Sequence, residues 1–284
     1  CRVRTSLQAR ERILSETSKS VAILGGGFAG AAVAYHLTRH GPHDLHVMVI
    51  EPRPVLGTGV AYSTADPAHR INVPASRMSL LSEDPEHFQR WLNAGDHLAD
   101  DSAGLRPNGD VFPRRAVFGH YVAEHLRPLQ DANRILHVVA SARSVEREQD
   151  DVAWQIALSN GESLRADRLV LAATHPPPAS MAVFDQIRDH PGYVANPYAD
   201  GALAAIGRDA SVLILGSGLT AADMVASLDK AGHHGRILMV SRRGLRSRGH
   251  PDHSTDPFGD FSSTPARDVF SLLRNIRRTV QQAE

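Results

Sequence analysis

Cysteine is almost missing from this sequence of 284 residues: the only one is Cys1. A lone cysteine excludes a disulfide framework, a zinc knuckle and a C-x-x-C electron relay within the chain. Lysine is nearly as scarce, at positions 19 and 230 only. With abundant alanine, that reads as the codon bias of a GC-rich bacterial genome. Net charge is also missing, since 31 basic residues offset 31 acidic ones. Nothing global therefore points to nucleic acid or an anionic membrane surface. No run of 18 apolar residues occurs, and residues 1–20 lack the apolar centre of a signal peptide, so a soluble cytoplasmic protein is expected. No G-x-S-x-G elbow is found either, which removes the usual hydrolase reading.

What remains is 42% apolar residues, enough to build the cores of one large or two ordinary domains. Residues 1–19 are polar and aperiodic and read as a frayed lead-in. "SVAILGGG" predicts a short buried strand. "FAGAAVAYHLTRHG" follows as a helix with Ala29, Val33 and Leu37 on one face and Gly41 as its stop. "LHVMVIEP" (45–52) is a second buried strand, completing a β-α-β unit of about thirty residues. An irregular stretch rich in Gly, Pro and Ser covers 53–83, a kind of segment that often carries function. "DPEHFQRWLNAG" predicts a helix with Asp84 as N-cap, Pro85 in its first turn, and Phe88, Trp91 and Leu92 inward. A further helix is expected over 115–129.

"RILHVVASARSVEREQD", "VAWQIALSN" and "SLRADRLVLAAT" read as three strands, the last two joined by an Asn160-Gly161 hairpin turn. Pro176-Pro177-Pro178 marks a hinge. The strand–glycine turn–helix–strand plan then repeats in "ASVLILGSGLTAADMVASLDKAGHHGRILMVSRRG". A polar loop (249–265) leads to an amphipathic helix with Val269, Leu272, Leu273, Ile276 and Val280 on one side, a seam expected to pack within the protein.

The two glycine turns carry the chemistry. In the first, Gly25 permits the tight turn, Gly27 allows backbone to approach phosphate oxygens, and Gly30 allows close helix–sheet packing. The helix start offers free N–H groups and a partial positive charge to a pyrophosphate. Glu51, 21 residues after Gly30 and at the end of the next strand, would accept hydrogen bonds from both hydroxyls of an unphosphorylated ribose, as in FAD or NAD. The second turn is Gly216-x-Gly218-x-x-Ala221. The same count of 21 reaches Arg242, with Arg243 beside it. Guanidinium groups there fork onto phosphate oxygens, which predicts a 2′-phosphate and hence NADPH over NADH. One FAD-type and one NADPH-type site in one chain suggest hydride transfer from nicotinamide to flavin, chemistry that belongs to the cofactors.

With these motifs and "GTGVAYSTADPAHRINVPA", "FPRRAVFGHYVAEHL" and "LVLAATHPPP" between them, the chain resembles the bacterial FAD-NAD(P)-binding flavoproteins. The resemblance, from about Ser20 onward, is to the FAD-dependent urate hydroxylase type, related to lysine and ornithine N-hydroxylases. It implies an α/β fold of two dinucleotide-binding, Rossmann-like domains, the NADPH domain inserted in the FAD domain, with an antiparallel β segment. The domains would be 20–178 for FAD and 179–284 for NAD(P)H. The return strand such a plan needs after the insertion is not found, so a C-terminally truncated chain is expected.

By this resemblance Gly25, Gly26, Gly27, Phe28, Ala29, Gly30 and Glu51 bind FAD. Gly59, Tyr62 and Asn72 lie near the flavin, and backbone around Val138 meets the adenine. Thr174 stands beside FAD where the family pattern has glycine. Gly216, Ser217, Gly218, Leu219 and Thr220 cradle NADPH, with Arg242 and Arg243 at its ribose.

The implied activity is that of a monooxygenase: NADPH reduces FAD, and O2 is activated as a flavin C4a-hydroperoxide. A small electron-rich substrate, urate-like or an amine, is then hydroxylated without a side-chain nucleophile. An NADPH-dependent flavin reductase that inserts no oxygen stays open, as does a non-catalytic nucleotide-binding fragment. Among other constellations, His36, His40 and His43 have a spacing that can hold zinc but no carboxylate partner, so no metal is expected. His250 and His253 follow the second turn and read as solvated loop residues. Arg114 and Arg115, at a predicted helix start, reach either a bound anion or the surface.

Overall fold

The computed structural model describes residues 19–148, 153–174, 182–199, 201–250 and 258–283. The polar lead-in, the Pro176-Pro177-Pro178 hinge and His253 lie outside the described residues. The elements, in chain order, are β1 (Ser20–Leu24), α1 (Phe28–His40), β2 (His46–Ile50), the single turn α2 (Gly59–Tyr62), α3 (His87–Ala94) and α4 (Arg115–Asp131). Next come β3 (Ile135–Val138), β4 (Ala142–Arg147), β5 (Trp154–Leu158), β6 (Ser163–Ala166) and β7 (Arg168–Leu171). The last are β8 (Val212–Leu215), α5 (Leu219–Lys230), β9 (Ile237–Val240) and α6 (Val269–Ala283). Two compact units contain them, Cys1–Ser247 and Arg248–Glu284, so both glycine turns fall in the first.

Within that unit a parallel sheet runs in the order β3-β2-β1-β7, and an antiparallel sheet in the order β4-β5-β6. Strands β8 and β9 pair in parallel as a third sheet. The mixed α/β, Rossmann-like architecture with an antiparallel segment is therefore as expected. The apolar runs of β1 and β2 are continuous because both faces of the parallel sheet are covered. Val21, Ile23, Val47 and Val49 face Ala31 and Ala34 of α1 and the aromatic group Phe88, Phe118 and Tyr121. Ala22, Leu24, Met48 and Ile50 face Ile156, Leu158 and Ala166 of the antiparallel layer. The result is three layers, with the carboxyl ends of the parallel strands opening beside the first glycine turn.

Four local expectations change. The stretch read as one strand from 134 breaks after Val138, where the Ala140 N–H turns back onto the Val138 carbonyl at 2.9 Å. The chain there leaves the parallel sheet for the antiparallel one. It returns at Asp167, which splits the third expected strand into β6 and β7. The Asp167 carboxylate accepts from the Ser20 N–H and hydroxyl at 2.7 and 2.8 Å, fastening that crossing to the start of β1. The Asn160-Gly161 turn is as predicted, with Gly161 at φ 83°. In α1 the buried line is Gly30, Ala31, Ala34 and Thr38, not Ala29, Val33 and Leu37. The smallest side chains sit where the helix lies closest to the sheet. Helix α3 starts at His87, because Asp84 instead closes a preceding turn with its carbonyl toward the His87 N–H. Phe88 and Leu92 are buried as expected, and Trp91 is half-buried.

In the second unit α6 carries the predicted amphipathic pattern, but Val269, Leu272, Leu273, Ile276 and Val280 are all exposed. Among the described residues no helix is long and apolar enough to cross a membrane.

The irregular segment 53–83 is held by a buried ion pair. Asp101, only 2% exposed, receives Arg70 through Nη1 at 3.0 Å and Nη2 at 2.5 Å, and Arg70 also donates to the Phe112 carbonyl at 2.8 Å. The Arg70 side chain is 25% exposed, so losing Asp101 leaves a partly solvated guanidinium with the Phe112 carbonyl as its remaining partner. Asp101→Ala is expected to destabilise the chain by about 1–3 kcal/mol. Thermal or urea melts check this, and an unchanged midpoint would show the pair to be dispensable.

Candidate functional site

A cleft of about 730 Å³ opens at the carboxyl ends of β1 and β2, within the range of roughly 300–1,000 Å³ usual for small-molecule sites. Its floor is the first glycine turn. Gly25 takes φ +102°, and a Cβ there would stand 2.4 Å from the Ala172 carbonyl oxygen. Gly27 is the N-cap of α1 and, with Phe28 and Ala29, lines the cleft. Opposite, Gly59 adopts φ +51° and brings its backbone against Gly27; a Cβ on Gly59 would be 2.9 Å from the Gly27 Cα. Two backbones thus meet without side chains between them, leaving the start of α1 bare for an anion.

Two residues of the motif act inside the protein instead of in the cleft. The Gly26 N–H donates to Glu51 Oε2 at 2.9 Å, and its carbonyl accepts from Gly57 N–H at 2.7 Å. At Gly30 a Cβ would fall 1.9 Å from the Gly25 carbonyl oxygen, so glycine is needed for helix packing. Glu51 lines the cleft although only 3% exposed. Besides Gly26, it accepts from the Arg53 backbone at 3.1 Å and the Arg53 guanidinium at 2.9 Å. Val138 is not among the residues lining the cleft. Its carbonyl lies at the end of β3, accepting from Glu51 N–H and Ala140 N–H, while Ser141 and Ala142 border the cleft instead. Thr174, Gly59 and Tyr62 line the cleft. Asn72 is exposed and outside it.

Several lining residues were not singled out in the sequence, although all but Tyr198 lie in or beside the quoted stretches. Thr58, Val60 and Ala61 come from the irregular segment, Ala172 and Ala173 from the end of β7, and Tyr198 from a distant loop. The hydrogen-bonding of Tyr198 gives no contiguous signal that a sequence reading could use. Arg115 also lines the cleft, while Arg114 turns away to Asp100 and Asp101. Phe28 and Tyr62 form an apolar wall backed by Phe118, with ring centroids 5.3 Å apart for Phe28–Phe118 and 4.8 Å for Tyr62–Phe118. Burial pushes the Tyr62 phenol above its ordinary pKa, opposed by the positive charge of Arg115.

The second turn repeats the backbone plan. Gly25 N–H donates to the Ile50 carbonyl at 2.9 Å, and Gly216 N–H to the Val240 carbonyl at 2.8 Å. Gly216 takes φ +109°, and Gly218 is the N-cap of α5. Unlike the first turn, this one is open: a Cβ at Gly216 or Gly218 would meet nothing within 4 Å. Leu219 and Thr220 are exposed at the helix start, and Ala221 is buried under it. Ser217 donates its hydroxyl to the Leu245 carbonyl, drawing the loop after β9 over the turn.

The equivalence corrects one register. Ile50 precedes Glu51, so the residue matching Glu51 is the one after Val240, namely Ser241. Leu24 pairs with Ile50 and Leu215 with Val240, which makes the second unit one residue shorter between its strands. A count of 21 therefore overshoots to Arg242. Ser241, Arg242 and Arg243 together occupy the strand end. Both arginines are exposed and have no acidic partner among the described residues.

The zinc reading of His36 and His40 finds no support in geometry. Their rings stack at 5.8 Å, and His36 Nε2 is hydrogen-bonded to the Leu80 carbonyl at 2.9 Å. Among the described residues no group of three or more metal-ligating side chains occurs.

Comparison with known proteins agrees with this geometry. A family model described as FAD-NAD(P)-binding matches residues 22–176, more than half of the chain. A search of curated protein sequences gives no match. Among solved structures, a reduced ornithine hydroxylase from Pseudomonas aeruginosa aligns at 16% identity and TM-score 0.54, over 78% of this chain and 54% of that one. An oxidised steroid monooxygenase bound to NADP aligns at 17% identity and TM-score 0.51, over 80% and 39%. A closed cyclohexanone monooxygenase gives 16% and 0.50, over 80% and 39%. At such identities the likeness establishes the fold, and the chain spans between two fifths and just over half of those structures. The glycine turn, its buried carboxylate and the family match together place this chain in the FAD-NAD(P)-binding family.

Proposed function

We propose that the first cleft holds FAD, that the second turn holds NADPH, and that the chain is part of a monooxygenase. The observation that carries this reading is the pair of β-α-β turns with the same backbone plan and opposite strand ends. Glu51 presents a carboxylate suited to a plain ribose, whereas Ser241, Arg242 and Arg243 present donors suited to a phosphorylated one. Segment 20–178 would then be the FAD-binding portion and 179–284 the NADPH-binding portion, in a chain of the urate hydroxylase type. Three solved monooxygenase and hydroxylase structures sharing the fold support the assignment.

The residues fit FAD on the structure itself: Gly25, Gly27 and Gly59 form a cradle that side chains would fill. When bound, FAD supplies the redox chemistry, accepting a hydride from NADPH and activating O2 for transfer to a small electron-rich substrate. The chain's part is positional. Gly27, Phe28 and Ala29 offer the start of α1 to the pyrophosphate, and Glu51 would hold the ribose hydroxyls. Phe28 and Tyr62, packed on Phe118, would form an apolar wall that keeps water from bound cofactor. No side-chain nucleophile is called for.

The test is the absorption spectrum of the purified chain. NADPH is expected to bleach the flavin band in preference to NADH. Each charge-assisted hydrogen bond to the 2′-phosphate contributes about 1.5–3 kcal/mol. The double variant R242A/R243A should therefore weaken NADPH by roughly a hundredfold or more and leave NADH unchanged. A colourless protein, or a double variant that keeps its preference, would refute the assignment. Product formed in step with NADPH and O2 consumption separates oxygen insertion from simple flavin reduction.

A further inference from the structure

Helix α5 begins at the second glycine turn, yet its side faces the wall of the first cleft. Asp223, four residues into the helix and buried, receives Arg115 in a fork: Nη2 lies 3.0 Å from Oδ1 and Nη1 lies 2.7 Å from Oδ2. The Tyr198 hydroxyl donates to the same Oδ2 at 2.6 Å. Arg115 and Tyr198 both line the first cleft, and Arg115 Nε is anchored on the Arg70 carbonyl at 2.8 Å. One helical turn on, Ser227 donates to Asp66 Oδ2 at 2.5 Å, while His69 Nε2 lies 2.9 Å from its hydroxyl oxygen. His69 is itself buried, its Nδ1 2.9 Å from the Thr64 hydroxyl and its ring 5.7 Å from that of Tyr198.

The Ser227, His69 and Asp66 group is not a nucleophilic triad. The serine proton goes to the carboxylate directly, the imidazole Nδ1 faces a hydroxyl instead of an acid, and the Asp66 carboxylate stands 3.6 Å from Nε2 and is itself 32% exposed. Positions 223 and 227 lie on one helix face: Asp223 holds Arg115 and Tyr198 of the cleft lining, and Ser227 meets Asp66 and His69 of the irregular segment. A forked arginine–carboxylate pair fixes direction as well as distance. The helix that carries one nucleotide is thereby referenced to the wall that carries the other.

We propose that Asp223 is a positioning residue: by holding Arg115 and Tyr198 from α5, it sets the second nucleotide's helix relative to the first cleft. It thereby governs the rate at which a hydride crosses between the bound nucleotides. This rests on the two-cofactor reading given above. Misplacement by about 1 Å can slow a reaction about a hundredfold. Disturbing this contact therefore acts on transfer and spares NADPH affinity, since Asp223 does not face the second turn's phosphate side.

The experiment compares D223N and Y198F with the unaltered chain loaded with FAD. Y198F removes one hydroxyl from the contact and keeps the ion pair, so it serves where D223N folds poorly. In stopped-flow mixing with saturating NADPH, the rate of flavin bleaching is expected to fall roughly tenfold or more in D223N, and less in Y198F. The dissociation constant for NADPH, and photochemical reduction of the bound flavin, are expected unchanged. Amide hydrogen exchange of the cofactor-free chain should quicken over 219–230 in D223N and stay constant over 28–40. An unaltered bleaching rate in both variants overturns the proposal, and unaltered exchange over 219–230 overturns the contact beneath it. A flavin that NADPH never bleaches in the unaltered chain overturns the two-cofactor reading, an outcome the exchange measurement keeps distinct.

Discussion

Gly30→Ala is expected to lower the melting temperature and to cost the chain its flavin, whereas Gly218→Ala should leave the melt untouched and weaken only NADPH. The two glycines occupy related turns but different surroundings. A methyl at Gly30 would stand 1.9 Å from the Gly25 carbonyl oxygen and 3.3 Å from the Ala172 Cβ. The nearer atom is backbone and cannot rotate aside, so α1 must withdraw from the sheet. Overpacking of this kind costs about 1–3 kcal/mol, or more where backbone must move. For a chain of this size that is roughly 3–10 °C in Tm. Withdrawal also shifts Gly27 and Ala29, which line the cleft, so FAD retention should fall with stability. At Gly218 the backbone has φ −82°, which alanine tolerates, and no atom lies within 4 Å of the added methyl. That space is where a pyrophosphate would approach. Differential scanning fluorimetry, flavin content after gel filtration and NADPH titration read the three quantities separately. A stable, yellow Gly30→Ala chain would contradict the steric account.

Glu51→Ala is expected to reduce FAD affinity by a hundredfold to ten-thousandfold, the second large effect. Two hydrogen bonds from ribose hydroxyls to a buried carboxylate correspond to about 3–6 kcal/mol. Glu51 also has a duty without ligand, because it is the acceptor for Gly26 N–H and for Arg53. Its loss leaves the Gly26 N–H without that acceptor, at about 1–3 kcal/mol of stability. Glu51→Gln retains one carbonyl oxygen and should fall between the two. Flavin fluorescence quenching measures the affinity, and urea melts measure the stability. Glu51→Ala binding FAD as tightly as the unaltered chain would mean that the ribose does not rest on this strand end.

The loss of Arg53 from Glu51 is a useful companion to these measurements. Its guanidinium is paired with the same oxygen that accepts its own backbone N–H, so the carboxylate is held ready before any ligand arrives. Preorganisation of this kind lowers the ordering cost of binding.

What the sequence determined by itself is the set of features written in contiguous residues. Both glycine turns, the helices they open, the Asn160-Gly161 hairpin and the doubly covered strands β1 and β2 depend on local backbone preference and on apolar runs. Those signals survive without knowledge of the rest of the chain. Glu51 was legible for the same reason, being tied to its turn by one β-α-β unit. The tertiary structure decided what depends on meeting across distance. It moved the second strand end from Arg242 to Ser241, because register is set by strand pairing and the second crossover is one residue shorter. It broke two apparent strands at 139–141 and at Asp167, where the chain changes sheets while its β pattern continues. It also joined Arg115, Tyr198 and Asp223, which stand 83 and 25 residues apart along the chain, into one buried contact. No spacing rule announces such a meeting: a charge leaves water only when packing brings its partner to it, and packing is a property of the whole fold.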